Sequence, residues 1–161
     1  MEVDDLNKLA WYVSLAISLF GFLLIRYYFT LKPTEKIGEI NPAFIPGIFL
    51  IPFVCLSLFI TFIVGSKYFA EKQARTYMKY ALFMLLIIVA GGLLEYVQVS
   101  NDLETFGGGV SAPHSKLYEL PIWNSYTNGW FLNESVFFLI HGIAFGLGMF
   151  KKAPTEKDEN A

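Results

Sequence analysis

Charge is scarce in this chain. Asp, Glu, Lys and Arg make up 16% of its 161 residues, where a soluble domain carries about a quarter. Cysteine is reduced to Cys55, which excludes an internal disulfide and paired-thiol chemistry. A lone thiol in an apolar run reads as a small core residue. There are two histidines, and no Glu-x-x-His, His-x-x-x-His or Cys-x-x-Cys spacing. The chain alone therefore offers no ligand set for a metal or a bis-histidine haem. A Gly-x-Ser-x-Gly elbow, an internal repeat and a matched pair of interrupted apolar segments are also missing, which removes the signatures of a serine hydrolase and of an inverted-repeat transporter. A net charge of −2 argues against nucleic acid as a partner.

What the chain has is apolar length. Hydrophobic residues reach 55% and the mean hydropathy is +0.48. Four stretches, 9–29, 45–65, 77–97 and 129–150, are each about 20 residues long, enough for a helix to cross ~30 Å of hydrocarbon. The expected fold is an all-α integral membrane protein, a single domain over 1–150 with four transmembrane helices in a bundle. Residues 151–161 are left as a polar, mobile tail. The acidic start Met1-Glu2-Val3-Asp4-Asp5 is unlike a signal peptide, so the first stretch is read as a retained span.

Basic residues fall on two sides. Lys8, Lys67, Lys72, Arg75, Lys79, Lys151, Lys152 and Lys157 share one, and Arg26, Lys32, Lys36 and Lys116 the other. The excess of positive charge places both termini in the cytoplasm. Trp11, Tyr12, Tyr77 and Tyr80 mark one interface, and Tyr27, Tyr28, Tyr96, Trp123, Tyr126 and Trp130 the opposite one.

Inside the apolar stretches a few polar residues stand out, because a charge in hydrocarbon has to find a partner or water. Counting residues puts Arg26, Glu95, Asn133 and Glu134 at similar depth near the outer boundary. They form an intramembrane cluster if spans one, three and four meet, with Arg26 forking between the two carboxylates. The competing reading is separate snorkelling, with Asn133 or Ser135 capping the fourth helix. Asn133-Glu134-Ser135 also fits a glycosylation sequon, at a depth where modification is not credible. His141 lies near the midplane, on the same helical face as Glu134. Three roles compete for it: a neutral histidine bonded to a neighbouring helix, a haem, quinone or metal contact shared with a partner subunit, and a proton relay.

Small residues mark close helix packing in membranes. Gly142 and Gly146, with Ala144 and Gly148, place two such stripes on the fourth span and suggest more than one neighbour. Ser14, Ser18 and Gly21 on the first span, and Ala90, Gly91 and Gly92 on the third, are further candidates. Pro52 removes a backbone bond within the second span. The 99–128 connection is long for a loop and too aromatic to stay in water. It is expected as an ordered external flap, with Phe106, Tyr118, Trp123 and Tyr126 facing a partner or the membrane; packing on its own bundle and a lid over a pocket near Glu95 and Glu134 are the competing readings.

These features carry no catalytic motif. The function they suggest is a non-catalytic accessory subunit of a larger membrane complex, an oxidoreductase or respiratory-type assembly among the settings. Its partners are other membrane subunits and the lipid bilayer, and no cofactor is held by the chain alone. The alternatives are a cofactor-binding subunit using His141 and a small transporter or proton conductor using Glu134 and His141.

Overall fold

The computed structural model describes residues 3–70 and 74–150; the tail expected over 151–161 lies outside them. The elements are α1 (Val3–Tyr28), α2 (Phe44–Ala70), α3 (Ala74–Phe106), the short α4 (Asn128–Phe131) and α5 (Glu134–Leu147), with a 3-10 turn at Gly148–Phe150. The described residues contain no strand. Four helical segments, Asn7–Tyr28, Phe44–Ala70, Tyr77–Phe106 and Asn128–Phe150, are long and apolar enough to cross a membrane.

Two of these segments differ from the sequence expectation. α3 continues nine residues past Val97 and ends at Phe106, so the start of the supposed 99–128 loop is helix. The fourth segment is not one helix but two. α4 stops at Phe131, Leu132 and Asn133 leave the helical conformation, Asn133 being extended, and α5 begins at Glu134. The break is hard to see in the sequence because no proline marks it.

α1, α2 and α5 pack on one another, while α3 joins mainly through α5. The inward stripe of α1 is Ser14, Ser18, Phe22 and Ile25, all buried and spaced to share one face of a 3.6-residue helix. α2 answers with Leu50, Ser57, Thr61 and Gly65, and α5 with Phe137, His141 and Gly146. Phe22, Ile25, Ala43, Leu50 and Phe137 form the apolar core between them. Cys55, expected inside, is exposed on the outer face of α2. Phe69, Tyr68, Tyr77, Tyr80 and Phe145 close the opposite end as an aromatic cluster. Tyr77 and Tyr80 thus pack on protein.

Glycine permits the tightest contacts. A methyl group at Gly65 would run into the Phe145 carbonyl, and one at Gly148 into the Gly65–Ser66 backbone. Gly142 and Gly146 instead face Met84 of α3. The fourth segment therefore does meet two neighbours through offset small faces. Gly92 faces open space.

Residues 107–127 fold as a cap over one end. Gly107, at φ 79°, ends α3 in a Schellman turn: Gly108 N–H donates to Leu103 O and Gly107 N–H to Glu104 O. Phe106, Leu117 and Tyr126 then form a second small core with Leu31, Leu103, Val110, Leu120 and Trp130 around it. The cap is fastened to the 29–43 connection. Leu31 N–H donates to Ser125 O, Tyr126 O–H to Glu35 O, and the Lys116 ammonium to Pro33 O. Asn41 and Asn128 exchange two amide hydrogen bonds of 2.8 Å each, and Asn128 also donates to Phe29 O.

Because the Gly65 neighbour is backbone, Gly65→Val should lower stability by about 1–3 kcal/mol, whereas Gly92→Ala should leave the melting temperature in mild detergent unchanged or raise it.

Candidate functional site

The polar cluster assembles where α1 ends and α5 begins. Arg26 lies in the last turn of α1 and Glu134 in the first turn of α5, the helix ends at which the macrodipole favours each charge. Their closest atoms, Nη1 and Oε2, are 2.5 Å apart, with the side chains 23% and 35% exposed. Oε2 is buried and receives no aligned hydrogen bond, so this contact is an ion pair held by charge.

Arg26 does not fork between two carboxylates. Its Nη2 donates to Gln98 Oε1 at 3.0 Å, a residue the sequence reading passed over because it carries no charge. Glu95 turns instead to Asn133, whose Nδ2 donates to Glu95 Oε2 at 2.8 Å. The other Glu95 oxygen is buried without a hydrogen-bond partner.

Asn133 does several jobs at once. It is fully buried, its Oδ1 accepts from Val136 N–H at 2.9 Å, and its Nδ2 also donates to Gly129 O at 2.8 Å. Capping and networking were competing readings; the one side chain does both. Its burial also rules out the sequon as a modified site.

His141 sits in a different place, buried between α5, α2 and α1. Nδ1 lies 2.8 Å from Phe137 O and Nε2 2.8 Å from Ser57 Oγ. A carbonyl can only accept, so Nδ1 carries the proton, and Nε2 of the neutral ring accepts from the Ser57 hydroxyl. The Ser57 hydroxyl has a second acceptor, Val54 O at 3.0 Å, and Ser18 Oγ is 3.4 Å away. The Phe137 ring, with its centroid 4.1 Å from that of the imidazole, covers one face. Both ring nitrogens thus have protein partners, and a metal or haem at Nε2 would have to displace Ser57.

His141 and the Glu134 cluster do not join. Phe22, Ile25 and Phe137, all buried, belong to the apolar core packed around this part of the helices. Toward the other end the α1–α2 contact stays polar: Trp11 Nε1–H donates to Thr61 Oγ1 at 2.8 Å, and Ser14 is buried. Ser57 and Thr61, four residues apart opposite Ser14 and Ser18, were the legible signal for this seam. Among the described residues no three His, Cys, Asp or Glu side chains are placed to hold a metal.

The residues expected to face a partner divide. Phe106 and Tyr126 are buried against each other, 5.3 Å between centroids, which takes them out of the partner-facing set. Tyr118 and Trp123 are exposed. Ala144 is half-buried on α5.

Fold and site together define an all-helical chain with four segments of membrane-crossing length and its polar groups paired mostly with one another. Comparison with protein-family models, curated proteins and solved structures finds no match to this chain.

The Arg26→Met and Glu134→Gln changes should be non-additive, with a coupling of about 0.5–3 kcal/mol in a double-mutant cycle of unfolding in detergent; additive losses would mean that the pair contributes nothing. Nitrogen-15 spectra of the labelled histidine should show the Nδ1–H tautomer at neutral pH. Ser57→Ala, which leaves Nε2 unpaired, should cost about 1–3 kcal/mol.

Proposed function

We propose that this chain is a multi-pass membrane protein with both termini in the cytoplasm, acting as a non-catalytic subunit that stabilises a larger membrane assembly. The observation that carries the reading is the attachment of α3. This 33-residue helix has only 6% of its membrane-length window buried within the chain. Met78, Leu82, Leu85, Leu86, Val89, Leu93 and Tyr96 remain exposed along it. Helices in lipid associate by close packing, and α3 leaves most of its surface available for that. Ile122 and Trp123, exposed on the cap, extend the apolar surface beyond the helices.

The internal chemistry supports the same reading. The ion pair of Arg26, the bonds of Asn133 and the two contacts of His141 are spent inside the chain. In such an assembly the reaction belongs to other chains, and this one contributes a rigid helical face. The proton-conducting alternative is weakened by the buried Phe22, Ile25 and Phe137 around the path.

Solubilisation of source membranes in mild detergent, followed by native electrophoresis, should recover the chain in a complex with other subunits. Replacing Leu86 and Leu93 by Trp should release it from that complex while its helicity is retained. Migration of the wild-type chain alone, or only as a homo-oligomer, would sink the proposal.

A further inference from the structure

A groove of about 610 Å³ runs between α1 and α2 at the end opposite the cap, lined by Asn7, Lys8, Trp11 and Tyr12 on one side. The other wall is α2, from Lys67 through Val64, Ile63, Ile60 and Phe59 to Leu56. Those α2 positions recur every three or four residues and so form one continuous face. Tyr12 and Phe59 are 60% and 61% exposed, which leaves the groove open sideways rather than sealed within the helices.

Its polarity is graded. Asn7, Lys8 and Lys67 stand at the mouth, and the walls beyond are apolar. The described lining contains no Asp or Glu. From Lys67 to Leu56 is eleven residues, or ~16 Å at 1.5 Å per residue, about half of a ~30 Å hydrocarbon layer. The groove therefore has the depth of one leaflet, with its positive charge where headgroups lie.

We infer that this groove holds an anionic phospholipid, its phosphate against the ammonium groups of Lys8 and Lys67 and one acyl chain along Ile63, Ile60, Phe59 and Leu56. Basic recesses between membrane helices recognise such headgroups, each Lys adding roughly fivefold in affinity near the surface. Both lysines also interact within the chain, so the headgroup is an additional partner for them. The Tyr12 ring, amphipathic and exposed, suits the level of the glycerol backbone. This occupant is independent of the accessory-subunit reading: a lipid in the α1–α2 groove leaves α3 free.

Trp11 lines the groove and reports on it directly. The full chain is reconstituted in phosphatidylcholine vesicles that carry, at equal mole fraction, either bromine-labelled phosphatidylglycerol or bromine-labelled phosphatidylcholine. Quenching of Trp11 is isolated by subtracting the Trp11→Phe variant. Phosphatidylglycerol should be favoured over phosphatidylcholine by roughly an order of magnitude. Lys8→Gln/Lys67→Gln should abolish that preference while leaving the quenching by phosphatidylcholine in place, and Lys32→Gln/Lys36→Gln, at the other end, should keep it. Equal quenching by the two lipids overturns the inference, as does a preference that survives Lys8→Gln/Lys67→Gln or disappears with Lys32→Gln/Lys36→Gln. Should Lys8→Gln/Lys67→Gln lose its helicity, the wild-type comparison of the two lipids still decides.

Discussion

Hydrocarbon offers no hydrogen bond, so a backbone break within an apolar segment has to be satisfied by protein. In this chain the Asn133 side chain meets that demand. Its oxygen caps α5 and its amide covers the Gly129 carbonyl left by α4, and the same amide reaches Glu95 on α3. The break in turn brings Glu134 to the start of a helix facing Arg26. Remove the Asn133 amide and three things fail together: the cap of α5, the end of α4 and the polar tie to α3. The arrangement of the cap depends on it too, because Asn128, locked to Asn41 and Phe29, sits five residues before it on the other side of the break.

A second polar seam binds α1, α2 and α5 away from that joint. Ser18, Ser57 and His141 hydrogen-bond across three helices, and Trp11 pairs with Thr61 further along. Each bond is modest on its own, about 0.5–1.5 kcal/mol. Their value is in register. A one-residue slip of α2 would carry Ser57 off the His141 ring and bury an unpaired nitrogen, so the polar seam selects one alignment among many apolar ones.

Much of this was visible in the residues, and the misses have physical causes. Hydropathy located four membrane-length segments because twenty apolar residues in a row have few other uses. Depth counting put Arg26, Glu95, Asn133 and Glu134 at one level, where the structure pairs them. Partner choice within the cluster was not legible: an uncharged Gln98 outcompetes Glu95 for the guanidinium, and only side-chain positions decide that. The break at Leu132–Asn133 was half legible: Asn133 was already a cap candidate, but Leu-Asn in an apolar run carries no breaker, so the short α4 before it read as part of the same span. Aromatic content announced that the 107–127 cap is ordered. It could not say which rings turn inward, and Phe106 and Tyr126 do while Tyr118 and Trp123 do not. Gly107, the first of three consecutive glycines, is in the fold a fixed left-handed stop.

The helices differ greatly in length: α3 has 33 residues and α5 has 14. The excess of α3 is not apolar. Its residues 98–106 carry Gln98, Asn101, Asp102 and Glu104, and at 1.5 Å per residue they rise ~13 Å beyond the apolar stretch that ends at Val97. In a bilayer this extension would stand in the headgroup layer, which adds only a few ångströms on each side of the hydrocarbon. α3 would then act as a post that sets the height of the cap, holding the turn at Gly107 at the outer rim of the headgroups.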